Sequence, residues 1–407
     1  MRKVIVVGGG ASGLMAAYAA AAKGNAVLLI ERNEKLGKKI YITGKGRCNV
    51  TNDVPPQEFL THVVRNSRFL TRAVYACPPQ SVKDLIESKG VRLKTERGNR
   101  VFPVSDHASD ITKALARACE DVGVEVHLNE KMLDFDIMDS TMSGIITNKA
   151  RYECDALLVC TGGLSYPSTG STGDGYRFAR KAGHRIEEPT PSLTGVNLKG
   201  RDHVGMQGLS LKNVSLTARK GSKRLYEGFG ELLFTHYGIS GPIVLTFSAA
   251  AAREPLKEVS LSLDFKPALS EEMLDARLLR DFSAMKNKVL RNALGALLPA
   301  KAIDFVLEKA GVSPLKQVNA VTREDRRALV RTIKNYSLQP VSLRGFEEAV
   351  VTCGGVDVSQ INPATMESKL VKGLYFCGET LDVDAFTGGF NLQIAFSTGF
   401  AAGNSIE

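Results

Sequence analysis

The stretch Val4-Ile5-Val6-Val7-Gly8-Gly9-Gly10-Ala11-Ser12-Gly13-Leu14 constrains this chain more than any other. Its four apolar, β-branched residues read as a fully buried parallel strand. A glycine turn follows. Residues 14–22, almost all Ala with Leu and Met, read as a helix lying close on that strand. Gly8, Gly10 and Gly13 fit G-x-G-x-x-G. The first allows the tight turn, the second lets a pyrophosphate approach the backbone, and the third lets helix and strand touch. The helix start then offers free N–H groups and a partial positive charge. Alone, this motif is weak. Here a second strand, Ala26-Val27-Leu28-Leu29-Ile30, ends in Glu31, at the distance expected of the carboxylate that binds a ribose hydroxyl. Strand, glycine turn, helix, strand and acid in that order point to a dinucleotide.

With 407 residues the chain can hold two or three domains with sizeable cores. No apolar run approaches the roughly 18 residues of a membrane span. Arg2-Lys3 and the apolar residues behind it superficially resemble a signal peptide. The glycines at 8–10 interrupt that pattern, and cleavage would remove the nucleotide turn, so a cytoplasmic protein is expected. Seven cysteines without a C-x-x-C pair point to reduced thiols. Cys160, Cys353 and Cys377 sit in apolar, strand-like contexts and read as small buried hydrophobes. The net charge of +10 speaks for anionic partners, either an anionic cofactor and substrate or RNA. No Ser-His-Asp order, zinc spacing or Walker motif offers another chemistry, and no metal site is expected.

Along the chain, residues 32–52 are rich in Gly, Lys and Asn, too polar for a core element. A long ordered loop directly behind a nucleotide acid is usually functional. Residues 57–90 carry helical spacing, 91–103 a hairpin with its turn at Arg97-Gly98-Asn99-Arg100, and 106–122 a helix. A strand at 124–128, a meander at 135–151 and a buried parallel strand at 154–160 follow, the last ending at Thr161-Gly162-Gly163. From about Glu187 the texture turns to period-two alternation, which suggests an antiparallel barrel or sandwich. Ser270 reads as a helix cap with Glu271 and Glu272 in the first turn. The helical stretch 270–335 holds 13 Lys/Arg against 8 Asp/Glu. Residues 349–356 resume the α/β texture. At 373–403 a strand runs into Gly378-Glu379, then a loop, then Gly388-Gly389-Phe390-Asn391 opening a final helix. In a flavoprotein such a helix start would face the N1/O2 edge of the ring.

Four stretches match together: ITGKGRCNVTN at 42–52, TGGLSYPSTGSTGDGY at 161–176, LFTHYGISGP at 233–242 and GLYFCGETLDVDAFTGGFNLQ at 373–393. With them the chain resembles the BaiN/RdsA family of NAD(P)/FAD-dependent oxidoreductases, also described as aminoacetone oxidase family FAD-binding enzymes, within the two-dinucleotide-binding flavoproteins. The first and last stretches are highly specific, and the four span nearly the whole chain. The resemblance implies an α/β fold: a Rossmann-like FAD-binding domain (1–187 and 349–407) interrupted by an antiparallel β-barrel (188–269 and 336–348) and a small helical domain (270–335). It implies FAD with its pyrophosphate on Gly8, Gly10, Ala11, Ser12 and Gly13, and its adenosine ribose on Glu31 with Arg32 alongside. Lys38, Gly44, Arg47 and Asn49 would line the flavin loop, and Met132 would touch adenine. Thr161, Gly162, Gly163 and Asp174 would pass beside the dinucleotide. Gly378, Glu379 and Asp384 would approach the ribityl chain, with Gly389, Phe390, Asn391 and Gln393 at the ring. Glu379 stands where related flavoproteins often have Asp; either carboxylate can accept a hydroxyl hydrogen bond.

No second strand–GxGxxG–helix unit is present, so NADH or NADPH would dock only transiently at the flavin, or reduction would come from elsewhere. Cys48 is the one thiol expected near the flavin, as a proton donor or as a packing group. His236 is the best histidine for acid–base work, and Tyr166 and Tyr237 are lesser candidates. The family's activities include reduction of carbon–carbon double bonds in unsaturated steroid ketones, reduction of a uridine in ribosomal RNA, and oxidation of small aminoketones. A flavin-bearing scaffold without catalysis is the bland alternative. The modest basic balance and the lack of an aromatic stacking surface favour an NAD(P)H-linked reductase of a small unsaturated ketone, steroid-like or bile-acid-like. RNA is the alternative substrate, with Arg323, Arg326, Arg327, Arg331 and Lys334 on adjacent faces of one helix as its phosphate contacts. Nothing in the sequence fixes an oligomeric state.

Overall fold

The computed structural model describes residues 1–407 as two compact units, Met1–Pro191 with Phe346–Glu407, and Ser192–Gly345. The first is built on β1 (Lys3–Val7), α1 (Ala11–Ala22) and β2 (Ala26–Ile30). In the parallel sheet the order is Leu374–Phe376, Ala156–Val159, β1, β2, Glu125–His127. The chain leaves β1 in one direction through β2 and in the other through Ala156–Val159. The carboxyl end of β1 is therefore a topological switch point, where open α/β sheets bind their ligands.

The switch point is closed by backbone contact. Gly8 has φ +102°, and a Cβ there would lie 2.5 Å from the Cys160 carbonyl oxygen. A Cβ on Gly13 would lie 1.8 Å from the Gly8 oxygen. The nearly all-alanine α1 lets a second helix, Phe390–Asn404, come equally close. A Cβ on Gly399 would meet the Ser12 oxygen at 2.2 Å, and one on Gly403 the Ala16 oxygen at 2.2 Å. Both contacts advance by four residues, so the two helices run parallel. The longer helix starts about 12 Å further out along the shared direction.

The expected hairpin is present as Leu93–Glu96 and Arg100–Pro103, and Thr51–Asn52, at the end of the expected loop 32–52, adds a third strand. Residues 57–90 form three helices, Pro56–Thr61, Ser67–Ala76 and Pro79–Ser88, broken at left-handed Asn66 and at Pro78. The meander is Met132–Met138, Thr141–Thr147 and Arg151–Glu153. The proline-marked strand Ile186–Ser192, where the texture changes, still pairs with Val351–Val356.

In the second unit seven antiparallel strands run in the order Tyr336–Leu338, Val259–Asp264, Ser210–Lys220, Lys223–Phe234, Gly238–Ser240, Val196–Leu198, Pro340–Leu343. The two outermost strands are separated only by Gln339. Laid flat, they would stand nearly 30 Å apart at about 4.8 Å per strand. A one-residue link requires the sheet to curl into a barrel. Ser270 caps the helix Glu271–Ala284 by accepting from Met273 N–H, and Thr322 and Asp325 form a capping box on Arg323–Lys334. Leu274, Leu278, Leu329 and Ile333 from these helices share one buried core with Leu216, Leu261 and Leu263 of the sheet. The barrel residues and the helical stretch 270–335, expected as separate parts, are thus packed as one unit.

Candidate functional site

Two helix starts and one acid define the site in the first unit. Gly10 is the N-cap of α1 in an extended conformation, with no side chain capping the helix. A Cβ built on Gly10 finds no atom within 4 Å, in contrast to Gly8 and Gly13. The turn is rigid on both sides of an open cradle lined by uncapped amides, the environment a pyrophosphate requires. Glu31, at the end of β2, is buried and accepts from Gly9 N–H at 2.7 Å, Asn33 N–H at 2.8 Å and Asn33 Nδ2 at 2.7 Å. The acid is thereby fixed beside the glycine turn. The second uncapped helix start is at Gly389, with φ +98°, where a Cβ would press on the Thr51 oxygen at 2.3 Å.

Two buried polar atoms on segments that border the helix starts have no partner: Asn49 Oδ1, two residues before Thr51, and Thr161 Oγ1, whose backbone abuts Gly8. Orphaned polar atoms are costly unless a ligand satisfies them. Together with the open Gly10 cradle they fit a dinucleotide. Gly162 and Gly163 pass tightly here: Cβ atoms on them would meet Ser171 Oγ at 2.7 Å and Thr352 Oγ1 at 2.4 Å.

The structure gives several expected ligands other work. Arg47 is spent on Glu96 and on Asp106 at 2.9 Å, and stacks over Phe102. Asp384, buried, holds Arg65 Nη1 with both oxygens at 2.8 and 2.9 Å. Gln393 is buried between Thr51 Oγ1, the Cys77 carbonyl and Ser397. Asn391 accepts from Ala385 N–H and donates to the Ala385 and Phe386 carbonyls, clamping the loop before its helix. Phe390 is buried against Phe59 and stacked on His62. Asn391, Gln393 and Phe390 thus each have partners within the protein at the start of this helix. Arg32 bonds Thr172 and Asp174, and Lys38 reaches Asn33 and Glu34. Gly44 is exposed, with φ +56°, and packs on Asn49. Met132 is buried in the core and pairs with Thr147 in the meander. Gly378 packs on Ser12, where a Cβ would lie 2.8 Å from the hydroxyl, and its N–H donates to Thr398. Glu379 is paired with Lys39 at 2.7 Å, a partner that sequence reasoning missed because the two lie 340 residues apart.

Of the three candidate catalytic residues, Cys48 is fully buried. Burial pushes its thiol up to about 12, against a weaker opposing hydrogen bond from Thr43. Burial of this kind supports the packing reading of the thiol over proton donation. Cys48→Ala should therefore keep turnover within about threefold of wild type in single-turnover reduction assays; a loss of a hundredfold or more would make the thiol the proton donor after all. Tyr166 lies half-buried in the first unit, left-handed, with its N–H on the Phe346 carbonyl. His236 is exposed in the turn between two barrel strands of the second unit, edge-on to Tyr237, which carries Arg344 over its ring.

The model of the HI0933-like protein Rossmann domain family matches residues 2–405. The ribosomal RNA dihydrouridine synthases of Haemophilus influenzae and Escherichia coli are 31% and 32% identical to this chain, each over 99% of it and over 98% and 97% of their own lengths. The 3-dehydro-bile acid delta(4,6)-reductase of Clostridium scindens is 30% identical over 100% of this chain and 99% of its own. Among solved structures, the 3-ketosteroid-delta4-(5alpha)-dehydrogenase of Rhodococcus jostii shares the fold with a TM-score of 0.53, at 14% identity, over 99% of this chain and 96% of that one. No helix is long and apolar enough to cross a membrane.

Proposed function

The chain belongs to the HI0933-like family and is an FAD-dependent oxidoreductase; from that premise we propose that it reduces a carbon–carbon double bond conjugated to a carbonyl, in a uracil base of RNA. Uridine reduction and bile-acid delta(4,6) reduction, the activities in the relatives' names, share this chemistry. A hydride adds to the carbon remote from the carbonyl, and a proton to the carbon beside it. FAD, bound and reduced, would supply the hydride. The chain supplies the Gly10 cradle, the two uncapped helix starts, and the clamp by which Asn391 holds residues 385–386 in front of the second one. NADH or NADPH, docking transiently, is the proposed source of electrons.

The observation that carries RNA over a small ketone is a row of arginines. Arg323, Arg327 and Arg331 lie four residues apart on one helix, all exposed and none in an ion pair. Four-residue spacing places them on one face, where a row of fixed cations suits phosphates. The other two expected contacts are spent internally: Arg326 holds Asp275 at 2.5 Å, and Lys334 holds Asp264 at 2.7 Å and the carbonyls of Lys266 and Leu269. In the barrel, Lys220 is paired with Glu254 and Glu258, and Arg224 with Glu227. The second reading, a small steroid-like enone, is supported by the Clostridium scindens relative at 30% identity.

Replacing Arg323, Arg327 and Arg331 together by Glu should weaken binding of a ribosomal RNA transcript at least about tenfold and flatten its salt dependence by roughly two to three powers. FAD content should not change. Reduced wild-type protein should convert uridine in that transcript to dihydrouridine, read as a mass gain of two hydrogens. Turnover of a 3-keto-4-ene steroid with no reaction on RNA would replace the first reading by the second.

A further inference from the structure

Glu379 does not stand alone at the turn where the ribityl chain is expected. Its Oε1 accepts from the Ser165 hydroxyl at 2.5 Å and from Thr352 N–H at 2.7 Å, and its Oε2 accepts from Lys39 Nζ at 2.7 Å. Lys39 also donates to Ser165 Oγ at 2.5 Å. Thr352 Oγ1 in turn accepts from Leu164 N–H at 2.8 Å and Ser165 N–H at 3.1 Å. The cluster knits together four segments that border the carboxyl end of the sheet: the loop after the ribose acid, the turn after Thr161-Gly162-Gly163, the strand Val351–Val356, and Gly378–Thr380. Gly378 packs on Ser12 in the uncapped first turn of α1, and the loop carrying Lys39 is tied to the glycine turn by Gly37 N–H on the Gly9 carbonyl at 2.8 Å.

The carboxylate has three of its roughly four acceptor sites filled. The ammonium has two of its three N–H groups bonded, leaving one. The side chain is about one-fifth exposed, so that third donor is not sealed in the core. We infer that Lys39 is a positioning residue for FAD: Glu379 and Ser165 hold its ammonium so that the spare N–H faces the cofactor's ribityl side, and the Lys39–Glu379 pair sets the charge felt by the flavin.

Two charges of opposite sign at this turn act oppositely on electron uptake. A nearby cation favours the negative charge of the reduced ring, and a nearby anion opposes it. Glu379 stays ionised in spite of its burial, which alone would raise it, because Lys39, Ser165 and Thr352 together hold it below the ordinary carboxylate range. A mere structural latch would behave differently: breaking it from either side would cost stability alike and leave the flavin's potential where it was.

The test uses FAD-loaded protein and no substrate, so it is independent of which double bond is reduced. Lys39→Met and Glu379→Gln are titrated spectroelectrochemically through the flavin absorbance, with FAD in excess, and FAD affinity is measured by fluorescence on reconstitution. The midpoint potential should fall in Lys39→Met and rise in Glu379→Gln, and the double variant should return toward wild type. Affinity should drop about tenfold in Lys39→Met, the loss of one charge-assisted hydrogen bond. Shifts of the same sign, or none, overturn the proposal. Should either variant fail to hold FAD, Ser165→Ala decides. It keeps both charges but removes one of the two groups that hold the ammonium, and must lower the potential or the FAD affinity; wild-type values of both refute Lys39 as a positioning residue. A wild-type protein that binds no FAD would instead overturn the flavoprotein reading itself.

Discussion

Gly10→Val should fold like wild type and stay colourless. The two halves of that expectation come from one geometric fact. Gly10 has φ −84° and ψ −165°, an extended conformation that any residue adopts, and nothing lies within 4 Å of where its Cβ would be. A branched side chain there costs the apoprotein little. It does fill the space over the uncapped amides of Ala11, Ser12 and Gly13, where the pyrophosphate must come to backbone distance. Several charge-assisted hydrogen bonds are lost together, each worth about 1.5–3 kcal/mol, so FAD affinity should fall by a hundredfold or more. The neighbouring glycines supply the control. At Gly13 a Cβ would collide with the Gly8 oxygen at 1.8 Å, and Gly13→Val should lose the fold as well as the cofactor. The measurements are a thermal melt of the FAD-free protein and fluorescence on adding FAD. Gly10→Val with wild-type FAD affinity would mean that the dinucleotide does not lie on this turn.

What could be read from the sequence is what is local. Strand, glycine turn, helix and acid fall within 31 residues, and the hydrogen bond from Gly9 to Glu31 joins positions 22 apart. The meander and the hairpin were legible for the same reason. The polar residues behind Gly388-Gly389 were legible as important but not in their roles. Asn391 clamps residues 385–386, and Gln393 reaches the Cys77 carbonyl 316 residues away. A motif names residues that a site needs; it does not separate those that touch a ligand from those that hold the others still. Charge behaved likewise. The spacing of Arg323, Arg326, Arg327, Arg331 and Lys334 placed them on one helix, but only tertiary packing shows that Asp275 and Asp264 take two of them. The Lys39–Glu379 pair had no sequence signal at all. The close approach of the two site helices had one, the four-residue step from Gly399 to Gly403 facing the alanines of α1.

That approach yields a second large effect, with a sign that decides its cause. In an ordinary helix interior Gly→Ala stabilises by about 1 kcal/mol, because alanine loses less backbone entropy on folding. Gly399→Ala and Gly403→Ala should do the opposite. The added methyl would meet the Ser12 oxygen at 2.2 Å in the first case, and the Ala16 oxygen at 2.2 Å with the Ala20 nitrogen at 2.9 Å in the second. These are backbone atoms of a buried helix, so no rotamer change relieves the overlap, and one helix must move bodily. Overpacking of this kind costs about 1–3 kcal/mol net, a fall in melting temperature of roughly 3–10 °C for a body of this size. The double variant should cost less than the sum, because helices already parted by one methyl admit the second more easily. The same displacement moves the start of α1 relative to Gly389, the two ends that must engage one cofactor at once. FAD should therefore restore less stability to Gly399→Ala than to wild type, since ligand stabilisation falls as affinity falls. Paired melts with and without FAD separate the two effects. A rise in the FAD-free melting temperature of both single variants would show that the helices stand further apart than the Gly399 and Gly403 contacts require.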